Sequence, residues 1–319
     1  MKLLITGGSG RIGRRLVLEA AQRENRVIAL CRPGADTRQL EELGAEVILG
    51  DTTVPRILTR ALRGCDAVIH AAGVRAAARE STYQHFNIQG TIGLAEAASQ
   101  ADIQACVFIS TLAAQGPSQT HEPHTEFVNE APIDAFGKSM LAAEKVFMAS
   151  AIRERTCIIR PGLVCGTEGA FIQRLVGMVR RGLAPTLTNP PLLSLVHVND
   201  VAIAALNAAH LGAGEGQRVY VSNGEPVSFN ALLDEIEKQL AVHAAVRLPL
   251  PQSLLAAFAQ TANRLTESTG LFAETTMTLN HLTKGNWYCS SSTSCAALGN
   301  IDWMRNREIV GDAIARASA

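Results

Sequence analysis

One stretch near the amino end constrains this chain more than any other: Ile5-Thr6-Gly7-Gly8-Ser9-Gly10-Arg11-Ile12-Gly13. An apolar run, Lys2–Thr6, leads into it, and a helical pattern, Arg11–Arg23, leads out. Glycines at 7, 10 and 13 allow a tight turn and let the backbone approach a pyrophosphate closely. A helix starting there presents unpaired N–H groups and the positive end of its dipole to an anion. A glycine-rich loop alone is a weak signal. Between a strand and a helix, at the first βα turn, it specifies a dinucleotide cradle.

The residues that follow keep the rhythm. Apolar runs at Arg26–Cys31, Glu46–Leu49, Ala67–Ala71, Ala105–Ser110 and Thr156–Arg160 predict strands. Helical patterns at Thr37–Leu43, Pro55–Arg63, Phe86–Ala98 and Lys138–Ala151 fall between them. The strands are continuous rather than alternating, as in a parallel sheet buried on both faces. The expected fold is α/β, a doubly wound parallel sheet of Rossmann type. After Arg160 the rhythm weakens: Pro185, Pro190 and Pro191 mark a loop, Val201–Ala209 and Phe229–Leu240 read as helices, and Arg218–Val221 as a strand. A further helix is expected after Pro251, then a short strand-like piece from Asn286 and a last helix. The expected division is a dinucleotide-binding domain over 1–165 and a smaller, mixed substrate lobe over 166–319, some of whose elements return to the first domain.

The end of the second strand, about 20 residues beyond the glycines, selects the ribose. Arg32 stands there, and no Asp or Glu. An acidic residue would favour an unphosphorylated ribose, whereas Arg pairs bidentately with a 2′-phosphate. NADP is therefore expected over NAD, with Arg11 assisting; the plainer reading of Arg32 is a solvated strand-end charge.

Composition excludes other classes. Lys+Arg and Asp+Glu both number 29, so no bulk charge draws the chain to nucleic acid or to an anionic surface. No basic helix, zinc finger or RNA-stacking platform is present. No apolar run reaches the ~18 residues of a membrane span; the best, Leu254 to Leu265, is broken by Gln260, Asn263 and Arg264. The glycines after Ile5 cut short any secretory leader. The 7 cysteines are scattered and contain no CxxC, which implies free thiols and a reducing, cytoplasmic setting.

Beyond the glycine loop, Gly50-Asp51, Val68-Ile69-His70-Ala71-Ala72-Gly73, Asn87-Ile88-Gln89-Gly90-Thr91, Phe108-Ile109-Ser110-Thr111, Arg160-Pro161-Gly162-Leu163-Val164-Cys165-Gly166 and Val196-His197-Val198-Asn199-Asp200-Val201-Ala202 follow in order. With them the chain resembles the extended short-chain dehydrogenases/reductases, in the branch of 3β-hydroxysteroid-dehydrogenase-like and NAD-dependent epimerase/dehydratase proteins. The resemblance implies that Asp51 meets the adenine amine and Thr52 flanks it. It places Ala71, Ala72 and Gly73 along the cofactor, Pro161 and Leu163 beside the nicotinamide, and Thr111 as the hydroxyl that holds the substrate oxygen. His197 and Asp200 belong to a structural loop.

The resemblance also implies a Tyr-x-x-x-Lys dyad at a helix start, the tyrosine moving the proton and the lysine lowering its pKa. Here that stretch reads Asp134-Ala135-Phe136-Gly137-Lys138-Ser139-Met140, with Phe136 and Met140 at the two positions. Phe has no hydroxyl and Met no charge. Lys138, at i+2, points about 200° around the helix from Phe136. Three readings compete, the first preferred. The chain is a natural reductase that takes its proton from Thr111, Tyr83, His85, His121, His124 or water. Or it is a non-redox NADP-binding protein, an isomerase, cyclase or sensor. Or it is an engineered, inactive Tyr→Phe, Lys→Met form of a family oxidoreductase or sugar epimerase.

Tyr83 and His85 read equally as packing or surface residues, and His121 and His124 as solvated residues of a mobile loop over the pocket. His121, Glu122, His124 and Glu126 match no metal site, and no metal is expected. Cys165 reads as a buried thiol. Ser110 is expected to turn its side chain away from the site. Leu254, Leu255, Ala256, Ala257, Phe258, Ala262 and Leu265 make an apolar helical face that Leu271, Phe272 and Met277 extend. It suits an apolar substrate, or equally a core or dimer contact. Arg153, Arg180, Arg181 and Arg247 keep a nucleotide-sugar substrate in view. A homodimer through the helices at Phe86–Ala98 and Lys138–Ala151 is implied by the resemblance.

Overall fold

A computed structural model describes residues 1–118, 122–125, 129–166, 171–243, 246–269, 273–291 and 297–317, without the side chains of 263–269 and 273–276. His121, Glu126, Leu271, Phe272 and Cys295, and the side chain of Leu265, lie outside the described residues.

Six strands, β1 (Lys2–Thr6), β2 (Arg26–Cys31), β3 (Glu46–Leu49), β4 (Ala67–His70), β5 (Ala105–Ile109) and β6 (Thr156–Pro161), join the later strand Gln217–Val221 in one sheet. From one edge the order is Gln217–Val221, β6, β5, β4, β1, β2, β3, and every pairing is parallel. Successive side chains of a strand point to opposite faces. Leu3 and Ile5 accordingly pack with Leu16, Val17 and Ala20 of the first helix and with Val201, Ala205 and Ala208 of the helix Val198–Leu211. Leu4 packs on the other face, with Leu58, Leu94, Ala143 and Phe147. Both faces are thus covered by helices, which is why the interiors of the central strands are apolar.

The chain runs outward from β1 to β3 and then crosses back to β4, on the other side of β1. Strand order reverses between β1 and β4, and ligands of open α/β sheets bind in the crevice at the carboxyl ends beside such a point. Register aligns those ends, Thr6 opposite both Leu30 and His70.

Two elements beyond residue 166 belong to this layer: the helix Val198–Leu211 in its core and the strand Gln217–Val221 on β6. The rest forms a second cluster over the carboxyl edge. Short ladders join Leu163–Cys165 to Leu195–His197, Leu192–Leu193 to Val227–Ser228, and Leu183–Leu187 to Val246–Leu250. Phe229, Leu232, Leu233 and Ile236 repeat at helical spacing and bury one face of Phe229–Leu240, which Ser228 caps by accepting from Ala231 N. Each such side chain contributes about 1.5–3 kcal/mol of burial.

Most predicted boundaries fall within two residues of the observed ones. Phe86–Ala98 differs: a π-helical segment, Gln84–Gln89, precedes the α-helix Gly90–Ser99. The helix expected at Lys138 already starts at Ala135, because Asp134 caps it by accepting from Gly137 N. Among the described residues no helix is long and apolar enough to cross a membrane.

Candidate active site

The glycine loop is built by close approach. Gly7 has φ +70°, and a Cβ there would stand 2.7 Å from Ala72 Cα. A Cβ on Gly13 would stand 1.9 Å from Gly7 O, so Gly13 lets the first helix seat against the turn. Gly7 N and Gly8 N donate to Leu30 O, and Gly10 N to Gly7 O. No side chain caps the helix at Gly10, so the first-turn amides of Arg11, Ile12 and Gly13 have no intrahelical acceptor. A cradle that side chains would fill, facing uncapped amides, fits a dinucleotide pyrophosphate.

Beside it lies a cleft of about 130 Å³ lined by Gly7, Gly10, Arg32, Asp51, Thr52, Ala71, Ala72 and Gly73, among others. Arg32 is exposed, holds its guanidinium 5.6 Å from the Phe86 ring centroid, and makes no ion pair among the described residues. Asp51 Oδ1 accepts from Thr53 N and Thr53 Oγ1 at 2.8 and 2.9 Å, which fixes the turn. Thr52 is buried where Gly90 and Gly93 bring the neighbouring helix against it.

A larger cavity, about 520 Å³, continues from Gly10, Arg11, Ile12, Arg32, Ala71 and Gly73 into the second cluster. Thr111, Phe136, Pro161 and Leu163 line it, with Phe171, Leu193, Met277, Leu282 and Trp287 beyond. The structure thus brings the sequence-predicted site residues to one continuous crevice, with two exceptions. Gly13 lies behind the loop, and Met140 is buried in the sheet-side core. Thr111 Oγ1 accepts from Ala113 N at 3.1 Å, which leaves its hydroxyl hydrogen for the cavity. Lys138 is exposed on the helix surface.

Several expectations need correction. His124 is not solvated: it is 5% exposed and its Nε2 meets Gly116 O at 2.9 Å. Its backbone bonds to Tyr288 and Ser290 hold the segment down, and burial pushes its pKa down. Tyr83 is not poised as an acid. It is buried, its hydroxyl bonds to the Ala77 backbone, and burial raises its pKa. His85 is exposed and stacks edge-on against Phe86. The apolar face at 254–262 does not line the cavity: Leu255 and Ala259 are buried, while Leu254 and Phe258 face outward. Met277 of the next helix, Ala273–Thr283, lines it instead. Arg180 and Arg247 are occupied, by Ala317 O and by Asp234 and Glu237, and neither they nor Arg153 and Arg181 reach the cavity.

Ser110 does turn away, donating to Glu144, which is fully buried. Glu144 also binds Arg160 at 2.6 Å and Arg218 at 3.1 Å, and Arg160 reaches Gln115 and Tyr220. Burial alone would lower the Arg160 pKa; the Glu144 carboxylate overrides it and raises it. His197 caps its helix through Nδ1 and meets Asp312 through Nε2, a packing role. Cys165 is buried, its pKa pushed up to about 12 by burial.

Two residues escaped the sequence reading as site components. Asn87 clamps the loop after β4, accepting from Val74 N at 2.7 Å and donating to Val74 O at 3.0 Å. His281 lines the large cavity and was signalled by nothing but its residue type. Among the described residues no group of three or more His, Cys, Asp or Glu could hold a metal.

A doubly wound sheet with a glycine cradle at its switch point is the architecture of a dinucleotide-binding protein. The profile of the NAD dependent epimerase/dehydratase family matches residues 3–221, and the chain belongs to that family, within the extended short-chain dehydrogenases/reductases. It is similar to a 4-hydroxy-2-methyl-3-oxo-4-farnesyl-3,4-dihydroquinoline-1-oxide ketoreductase of Stigmatella aurantiaca, 29% identical over 77% of this chain and 75% of the relative. It is also similar to a 2-alkyl-3-oxoalkanoate reductase of Stenotrophomonas maltophilia, 28% identical over 74% of each. Among solved structures, gox2253 superposes with a TM-score of 0.79 at 25% identity, covering 98% of this chain and 96% of that one. These findings place the chain among the oxidoreductases.

Proposed function

We propose that the chain is an NADP(H)-dependent reductase or dehydrogenase of a hydrophobic small molecule, working without the Tyr/Lys dyad. One observation carries this reading: the cavity that starts at the glycine loop runs unbroken into a wall of Phe136, Leu193, Met277, Leu282 and Trp287. Among the described residues that wall includes no carboxylate, and it suits an apolar body rather than a sugar. Gly7, Gly10 and the amides of Arg11, Ile12 and Gly13 would hold the pyrophosphate, Asp51 and Thr52 the adenine side, and Arg32 the 2′-phosphate. Ala71, Ala72, Gly73, Pro161 and Leu163 would flank the nicotinamide half. Bound there, the reduced cofactor supplies hydride. Thr111 would orient the substrate oxygen, since hydride transfer depends on orientation. The relatives that act on a farnesylated dihydroquinoline oxide and on 2-alkyl-3-oxoalkanoates support a bulky ketone.

The test is calorimetric titration with NADP and NAD, followed by reduction of a panel of alkyl and aryl ketones read as NADPH consumption. NADP binding tighter than NAD, reversed by Arg32→Glu, and turnover of an apolar ketone are expected. Binding of neither coenzyme overturns the reading. A second reading, a non-redox NADP-binding protein, is favoured by Phe136 and Met140. Tight NADP binding without turnover, with turnover appearing in Phe136→Tyr/Met140→Lys, selects it.

A further inference from the structure

Phe136 leaves the proposed reduction without its usual proton carrier, so each exchangeable proton on the cavity wall needs an account. Ser110 is committed to Glu144. Trp287 Nε1 donates to His281 O at 2.7 Å. The guanidinium groups of Arg11, Arg32 and Arg75 are too basic to give up a proton near neutrality. Thr111 and Thr278 carry hydroxyls of alcohol acidity. The described lining contains no Asp, Glu, Lys, Cys or Tyr. Among the described lining residues one side chain remains whose ordinary chemistry is proton exchange near pH 7: His281.

Its setting is that of an oriented acid. His281 Nε2 lies 2.6 Å from Asp134 Oδ2. Asp134 is itself fixed, because its Oδ1 accepts from Gly137 N at 2.7 Å as the cap of the helix that carries Phe136. Burial would raise the Asp134 carboxyl, but the His281 bond and charge outweigh it and the net shift is downward, which keeps it anionic. The imidazole stacks on Trp287 with centroids 4.2 Å apart. Its side chain is 22% exposed, so solvent can recharge it. Nδ1 has no hydrogen-bond partner among the described residues.

We propose that His281, oriented by Asp134, is the proton carrier of this site. The assignment rests on the reductase reading above. As a ketone carbon takes up hydride, its C=O π pair moves onto oxygen, and that oxygen takes the Nδ1 proton of the His281 imidazolium to form the alcohol. Imidazole is left neutral, with Nε2–H still on Asp134, and regains its proton from solvent. In oxidation the neutral Nδ1 removes the alcohol proton. His281 is the catalytic residue, and Asp134 a positioning residue that sets the tautomer.

The test combines turnover, coenzyme binding and a spectroscopic signature. General acid catalysis is worth about 10²–10⁴-fold, so His281→Gln should lower kcat about 100-fold with the NADP Kd unchanged, and Phe136→Tyr in that background should restore part of it. Asp134→Asn keeps a capping side chain, so it should fold and lower kcat more than it raises KM. Two-bond ¹H–¹⁵N spectra of the free wild-type protein should show the neutral His281 ring protonated at Nε2, and Asp134→Asn should mix the tautomers. A ketone reduced equally well by wild type and His281→Gln overturns the assignment alone, as does a ring protonated at Nδ1. A wild type that binds NADPH but reduces no ketone overturns the reductase reading and this assignment with it.

Discussion

Asn87 donates to Ser139 Oγ at 2.9 Å, and this bond ties the π-helical segment to the helix that begins beside Phe136. Ser139 passes the connection on by donating to Phe136 O at 2.7 Å. Asn87 is 1% exposed and also brackets Val74, so one side chain sets the spacing between the loop after β4 and the cavity wall. π-Helical turns often mark functional sites; here the widened turn brings Asn87 inward. Asn87→Ala removes three hydrogen bonds, to the half-buried Val74 N–H and C=O and to the buried Ser139 Oγ, each worth about 1 kcal/mol net. Urea unfolding should show a loss of about 3 kcal/mol, and coenzyme affinity should fall with it. A loss under about 0.5 kcal/mol would mean that the clamp does not hold the loop.

Arg160 and Glu144 form the buried ionic centre behind the cavity, both essentially unexposed. Replacing Arg160 leaves the buried Glu144 carboxylate to Arg218 and Ser110 alone among its described partners, at up to about 3–5 kcal/mol. Arg160→Met should lose that much in urea unfolding, whereas Arg160→Met with Glu144→Leu should lose markedly less. Additive losses in the double variant would show that the pair is not coupled.

Legibility followed chemistry. β1 and β2 were read to the residue because strands buried on both faces are uninterrupted apolar runs, β3 because its short apolar run stands out even at the sheet edge, and the glycine loop because no other residue type fits the contacts of Gly7 and Gly13. The inward turn of Ser110 was legible from alternation along the strand; its partner Glu144, 34 residues on, was not. His124 was misread as solvated because a polar segment looks exposed in sequence, while its backbone pairs with residues 288 and 290, far along the chain. His281 was invisible for the same reason: its meaning comes from Asp134, 147 residues away, and from a second-lobe helix laid over the cavity. Local pattern reports what a residue's neighbours in sequence dictate; contacts closed by tertiary folding leave no periodic trace.

His70 gives a pH-dependent contribution whose sign follows from its burial. It is fully buried between Thr6 and Thr91, and burial pushes its pKa down to about 3. In the unfolded chain a histidine titrates near 6.5. Between those values the unfolded state binds a proton that the folded state refuses, so stability falls as pH falls. The slope is about 1.4 kcal/mol per pH unit from this residue. Measured at pH 6 and pH 4, the wild type should lose more stability than His70→Asn by roughly twice that amount. Equal losses would show that His70 accepts a proton in the folded state.

Gly13 separates a role in packing from a role in binding. A Cβ at this position meets Gly7 O at 1.9 Å, so Gly13→Ala must push the first helix away from the loop whose Gly7 carbonyl receives Gly10 N. Overpacking of this kind costs about 1–3 kcal/mol of stability. The displacement would also move the amides of Arg11 and Ile12 away from where the proposed reading seats the pyrophosphate. NADP affinity should therefore fall at least tenfold, the equivalent of about 1.4 kcal/mol. Gly44→Ala is the matched control. Gly44 has φ +79°, so alanine there is strained, but no atom lies within 4 Å of the added carbon. It should cost about 1 kcal/mol in stability and leave the NADP Kd unchanged. Calorimetry on the two variants decides the matter: equal coenzyme affinity in both would mean that the helix start does not hold the phosphates.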